Sequence, residues 1–261
     1  PPHIMPTRLL LALSAAKGMR LGHMDVTNAF TQAIIDNVEL FVEPAKGYEE
    51  YERDGATTKV LKLKRALYGT KQASRLWQNT LRTYLVNECK FTCSLHDPCL
   101  FVRWTGNKVV VLGIYVDDII VAYNDTDTYE RFKREFKSRF NSKDLGKLQW
   151  FLGMSVDQHV DGSVVLGQQK YIEDMVRKFY PQGIENTIAR DIPCRPEDMA
   201  LCGFAEDDVE RSRMRDVPFL QLMGSLLYAS VMSRPDIDYY VGHICTFMHE
   251  PNEHCYKCAM D

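Results

Sequence analysis

Val109-Val110-Val111-Leu112-Gly113-Ile114-Tyr115-Val116-Asp117-Asp118-Ile119-Ile120-Val121-Ala122-Tyr123 is a long apolar run broken once, by adjacent carboxylates. Both flanks are apolar enough to be buried, so the break reads as a tight Asp117-Asp118 connection between strands over Lys108 to Val116 and Ile119 to Tyr123. Asp-Asp lacks the glycine favoured in a two-residue type I′ turn, so something other than turn geometry selects the pair. Successive side chains of a strand point to opposite faces, and the two aspartates converge only if the chain turns there. Two uncompensated carboxylates beside a hydrophobic sheet repel each other, and a hard divalent cation with oxygen ligands relieves the repulsion. The alternative is a solvated hairpin tip with two ordinary aspartates.

Upstream, the short strand Leu21 to Val26 carries Asp25 near its end. Two metals roughly 3.5–4 Å apart clamp the attacking and leaving oxygens of a phosphoryl transfer and draw carboxylates from more than one segment. Asp25, Asp117 and Asp118 supply three, although Asp25 alone reads as a cap or turn acid. Between these segments, Lys59, Lys62, Lys64, Arg65, Lys71, Arg75, Arg82 and Lys90 face a single acid, Glu88, with Tyr68 and Trp77 interspersed. In a chain with 32 Lys/Arg, 35 Asp/Glu and a net charge of −3, this local excess fits a surface that tracks a phosphate backbone, or a merely solvated face.

The remaining periodicity predicts a buried helix over 6–18, a weak strand over 39–43, a polar loop over 48–58 and a strand over 59–64. It further predicts helices over 72–86 and 125–140, the latter with Phe132, Phe136 and Phe140 spaced by four. A hairpin pairs 148–156 with 163–166, and helices follow over 169–179, 219–232 and 236–248. The stretch 181–218, with Pro181, Pro193, Pro196 and the acids Glu206, Asp207, Asp208 and Glu210, reads as a long connection and a domain boundary. The elements lack a regular βαβ rhythm, so the fold class is α+β. At 261 residues the chain has room for one or two domains, and 45% hydrophobic residues exclude a disordered chain. No apolar run reaches the ~20 residues of a membrane span, and no membrane partner is expected. Eight cysteines are too sparse for a disulfide scaffold, and Cys255-x-x-Cys258 reads as helix residues in preference to a zinc pair.

Met24-Asp25-Val26-Thr27-Asn28-Ala29-Phe30, Leu67-Tyr68-Gly69-Thr70-Lys71-Gln72-Ala73-Ser74-Arg75-Leu76-Trp77 and Tyr115-Val116-Asp117-Asp118 occur in that order. Asp97-Pro98-Cys99-Leu100-Phe101-Val102 lies between the last two, and Asp144-Leu145-Gly146-Lys147-Leu148, Gln169-Lys170-Tyr171-Ile172, Gly224-Ser225-Leu226-Leu227-Tyr228 and Arg234-Pro235-Asp236-Ile237 follow. The series resembles the reverse transcriptase of copia-type long-terminal-repeat retrotransposons, with Thr70 where that family has Leu.

The resemblance implies a right-hand polymerase: a palm built on an antiparallel sheet with packed helices, partial fingers and a mainly helical thumb. It implies a palm over 1–164 with a fingers insertion at about 36–67, a thumb-like region over 165–232 with a long loop 181–217, and the start of a connection region over 233–261. Asp25, Asp117 and Asp118, with the carbonyl of Val26, would hold two Mg²⁺, Mn²⁺ being an admissible substitute. Phe30 matches the steric gate that selects deoxynucleotides. Tyr68, Gly69, Lys71 and Tyr115 match nucleotide contacts, and Lys62, Lys64, Arg65 and Arg75 nucleic-acid contacts. The turn Trp150, Phe151, Gly153 resembles a primer grip, and Lys143 is a candidate general acid toward pyrophosphate.

The implied activity is RNA-directed DNA polymerisation in retrotransposon replication, on an RNA or DNA template with primer and dNTPs. The implied context is a Gag-Pol polyprotein with integrase upstream and ribonuclease H downstream, in a cytoplasmic virus-like particle with a nuclear phase admitted. A start at Pro1-Pro2 without Met fits an excised piece, and the family's basic fingers segment would precede it. Hence the alternative of a nucleic-acid-binding remnant without catalysis. A palm-type nucleotidyl transferase or cyclase would share the carboxylates without needing the 67–77 segment.

Overall fold

A computed structural model describes residues 4–36, 38–50, 59–183 and 192–261. Residues 37 and 51–58 of the expected fingers insertion, the latter being most of the expected loop 48–58, and residues 184–191 of the expected connection lie outside the described residues. The chain forms two compact units, one of Pro1–Phe151 with Asp157–Val164 and one of Leu152–Val156 with Val165–Asp261.

The first unit is built on an antiparallel sheet. Helix α1 (Ile4–Ala16) leads into β1 (Arg20–Val26), and a small ladder of β2 (Phe41–Val42) and β3 (Leu61–Lys62) follows. Helix α2 (Ala73–Thr83) continues into a π-helical turn over Tyr84–Glu88. Then come β4 (Thr92–Cys93), β5 (Leu100–Thr105), β6 (Lys108–Tyr115), β7 (Asp118–Tyr123), α3 (Thr126–Arg139) and β8 (Ser142–Lys147). The sheet runs β4-β5-β6-β7-β1-β8. The central β7 buries Ile119, Ile120, Val121 and Ala122 in succession because both its faces are covered, which is why the sequence there is continuously apolar.

Which helices cover which face follows from register, because residues opposite each other in an antiparallel pair share a face. Gly113, Ile120 and His23 are aligned across β6, β7 and β1, and a Cβ on Gly113 would stand 3.1 Å from Leu10 of α1. Leu112, Val121 and Gly22 align on the other face, where a Cβ on Gly22 would stand 2.6 Å from the Tyr129 hydroxyl of α3. That second face holds the main core, in which Phe132, Phe136 and Phe140 meet Trp77, Leu81 and Tyr84. Helix α1 differs from the expected fully buried helix: Leu10 and Leu11 turn inward while Leu9 and Leu13 are exposed.

Strand β8 was not expected. Ser142-Lys143-Asp144-Leu145-Gly146-Lys147 has no apolar alternation, and it forms an edge strand because β1 offers an open ladder. The expected strand 148–156 is instead two, β9 (Trp150–Phe151) and β10 (Met154–Gln158), which with β11 (Val164–Gly167) are ordered β11-β10-β9. Leu152 and Gly153 both have positive φ, 48° and 74°, which fits a two-residue type I′ turn, and Tyr228 donates its hydroxyl to the Leu152 carbonyl.

The second unit is helical: α4 (Gln169–Phe179), α5 (Pro196–Met199), α6 (Asp208–Arg215), α7 (Phe219–Met232), α8 (Asp238–Cys245) and α9 (Glu253–Met260). Residues 192–218 are not a linker, because Cys194, Met199, Cys202 and Met214 are buried in this unit's core beside Met223 and Ile244. The expected helix 236–248 ends at Cys245, and α9 starts afresh behind Asn252, whose side chain accepts from the Cys255 N–H. Cys255 and Cys258 sit inside this core, and burial pushes the Cys258 thiol up to about 11.

Candidate active site

The β6–β7 hairpin turns one residue earlier than expected. Tyr115 and Asp118 are paired, so the two central residues are Val116 and Asp117, and Asp118 is already the first residue of β7. Val116 has φ 57°, which the turn requires at its first central position and which a β-branched residue resists. Its carbonyl accepts a hydrogen bond of 2.6 Å from the indole Nε1 of Trp77. Trp77 is 2% exposed and meets Phe140 edge-on at 5.3 Å, so it lies beneath the turn and not on the basic surface.

Register then assembles the site. Tyr115 pairs with Asp118, Asp118 with Asp25, and Asp25 with Lys143, a row across β6, β7, β1 and β8 on the face that carries α1. The turn residue Asp117 is tied to the same end of the sheet, because the Val26 N–H donates to its carbonyl at 2.9 Å. Burial, and then the charges of Asp118 and Asp25, raise the Asp117 carboxyl above the usual carboxylate range. Among the described residues no three His, Cys, Asp or Glu side chains close into a ready ligand set for a metal. Asp118 instead has a neighbour that the sequence reading missed: His23 Nε2 lies 3.2 Å from its Oδ1. The signal was available, because His23 lies two residues before Asp25 on one strand and so shares its face.

Two expected nucleotide contacts meet although 38 positions apart, Phe30 and Tyr68, with ring centroids 4.5 Å apart. Phe30 rides on a 3₁₀ turn over Ala29–Gln32 that follows Asn28 at φ 51°. The 65–71 segment is held beside it by the Ala66 N–H to Ala33 carbonyl bond of 3.0 Å and the Ile34–Arg65 bridge. Gly69 has φ 89°, and Lys71, two residues on, is exposed.

The basic stretch is partly spent. Lys62 pairs with Glu39, Lys59 lies 3.5 Å from Glu50, and Arg65 donates to the carbonyls of Thr31 and Gln32, whereas Lys64, Lys71 and Arg75 are exposed. Of the expected grip, Trp150 is half-exposed and Phe151 is buried edge-on to His23 at 6.4 Å.

One end of the sheet thus carries Asp25 and Asp118 in one row with Asp117 on the adjoining turn. The reverse transcriptase (RNA-dependent DNA polymerase) family matches residues 3–194. The chain is 30% identical over 251 residues to the retrovirus-related Pol polyprotein from transposon TNT 1-94 of Nicotiana tabacum, covering 94% of this chain and 18% of that protein. It is 30% identical over 246 residues to the polyprotein from transposon RE1 of Arabidopsis thaliana, covering 94% of this chain and 16% of that one. With the putative transposon Ty5-1 protein YCL074W of Saccharomyces cerevisiae it shares 29% over 230 residues, 87% of this chain and 70% of that protein. The chain belongs to the reverse transcriptase family, a family of DNA polymerases that use divalent metal ions, and it spans under a fifth of the plant polyproteins that it matches.

Proposed function

We propose that this chain is the catalytic core of an RNA-directed DNA polymerase of a retrotransposon, adding deoxynucleotides to a primer 3′-hydroxyl. The observation that carries the reading is the row Tyr115, Asp118, Asp25, Lys143, with Asp117 on the adjoining turn. A donor set made only of oxygens, three carboxylates and a backbone carbonyl, in which the Asp117 carboxylate is destabilised by burial and by its acidic neighbours, fits hard divalent cations. Asp25, Asp117, Asp118 and the Val26 carbonyl would hold Mg²⁺ or Mn²⁺. Such ions supply Lewis acidity at the primer hydroxyl and offset the charge on the triphosphate.

The chain's own groups do the rest. Phe30, backed by Tyr68, presents a ring that leaves no room for a 2′-hydroxyl, while Gly69, Lys71 and Tyr115 line the nucleotide. Lys143, in the row beside Asp25, gives its proton to the departing pyrophosphate. Lys64 and Arg75, with smaller help from Lys62 and Arg65, bind backbone phosphates, and Trp150, Phe151 and Gly153 hold the primer strand.

On this reading residues 1–164 are the palm with a fingers insertion at about 36–67, 165–232 the thumb with its loop 181–217, and 233–261 the start of the connection region. The chain would act within a Gag-Pol polyprotein, between integrase and ribonuclease H, in a cytoplasmic particle with a nuclear phase. Primer extension on poly(rA)/oligo(dT) with Mg²⁺ and dTTP tests it. Incorporation that Asp117→Asn abolishes is the expected result. Duplex binding without incorporation would leave a nucleic-acid-binding chain and overturn the catalytic reading.

A further inference from the structure

We propose that His23 is a positioning residue for the divalent-metal site: its Nε2–H grips one oxygen of Asp118 and leaves the other free to bind the ion. The inference rests on the polymerase reading above and concerns a residue that none of the motif resemblances includes.

His23 and Asp118 are diagonal neighbours. His23 is opposite Ile120 and Asp118 is opposite Asp25, so imidazole and carboxylate project from the same face two positions apart. Their separation is 3.2 Å, and an ionised carboxylate only accepts, so Nε2 carries the hydrogen. The imidazole is itself held. It is 9% exposed, and Phe151 stands edge-on to it at 6.4 Å. A short, half-buried Asp at a strand's first residue has a free χ1 to lose on metal binding. A buried donor that fixes it beforehand removes that cost and orients the remaining oxygen, as outer partners of ligating carboxylates do. The link also runs to Phe151, so the residue that steadies Asp118 packs on the turn assigned to the primer strand.

The test compares variants that keep packing with one that keeps the donor. His23→Leu and His23→Met fill the space against Phe151 without a hydrogen to give, and His23→Gln retains an N–H. Binding of Mn²⁺ alone is titrated by the free-ion electron paramagnetic resonance signal, with Asp117→Asn as the variant lacking a ligand and thermal unfolding as the check of folding. The expected result is affinity weakened about tenfold or more in the apolar variants, the usual effect of losing an outer partner, and within about threefold of wild type in His23→Gln. Wild-type affinity in a folded His23→Leu or His23→Met chain, or an equal loss in His23→Gln, overturns the positioning role and leaves the polymerase reading standing. A wild-type chain that binds Mn²⁺ no better than Asp117→Asn overturns both.

Discussion

Val116 occupies the first central position of the hairpin at φ 57°, where glycine is usual and a β-branched side chain costs roughly 1–2 kcal/mol. What holds it there is visible: the Trp77 indole donates to its carbonyl from inside the core. Trp77→Phe keeps most of the ring and loses the donor, so unfolding free energy is expected to fall by about 1–3 kcal/mol in urea titrations. In a Val116→Gly background the same substitution should cost less, because glycine adopts positive φ unaided. If the two losses simply add, Trp77 is not what holds the turn. The same residue explains why the sequence placed the turn one position late. An Asp-Asp tip looked natural and a valine at positive φ did not, so the apolar flanks located the hairpin but not its register. His23 was legible by parity from Asp25, yet only the cross-strand pairing with β7 showed which carboxylate it reaches.

At the scale of elements, helix α3 shows what local chemistry alone can do. Asp125 caps it, accepting from the hydroxyl and the N–H of Thr128, with the Lys108 ammonium 3.0 Å away. Those partners, the Thr128 hydroxyl first, hold its carboxyl at about 2, below the usual carboxylate range. A carboxyl depressed in the folded chain binds protons more readily when unfolded, so its stabilisation is complete above about pH 4 and is lost as pH falls through about 2. Asp125→Asn keeps a capping oxygen and removes the titration. Its unfolding midpoint in urea should therefore vary less than wild type between about pH 4 and about pH 2. An unchanged acid limb would show that Asp125 does not contribute to it. This helix was legible because cap, apolar spacing and length agreed. Strand β8 was not, since an edge strand that exposes Lys143, Leu145, Gly146 and Lys147 needs no alternation, and only its partner β1 selects it. Helices α5 and α6 were hidden for a related reason: prolines and acids at their starts look like a connection, while the buried Met199 and Met214 are isolated in sequence.

For the whole molecule, a net charge of −3 says nothing of a nucleic-acid partner, and the local excess of cations over 59–90 overstates one. Lys62 and Lys59 are engaged with Glu39 and Glu50, and Arg65 with backbone carbonyls, so counting residues in the stretch overestimates the phosphates it can neutralise. Lys71 and Arg75 are exposed, and among the described residues neither has an ion-pair partner. Each phosphate neutralised releases condensed counterions, so the slope of log affinity against log salt counts the cations in contact. Arg75→Gln should lower that slope by about one, measured by duplex anisotropy between about 50 and 200 mM salt. Lys62→Gln removes a charge already offset by Glu39 and should change the slope by much less. Equal slope changes for Lys62→Gln and Arg75→Gln would mean that the ion pairs open on binding and that the stretch acts as an undifferentiated field of charge. Unequal ones would identify the exposed start of α2, following directly on the Tyr68–Gly69 segment, as the part that meets the backbone.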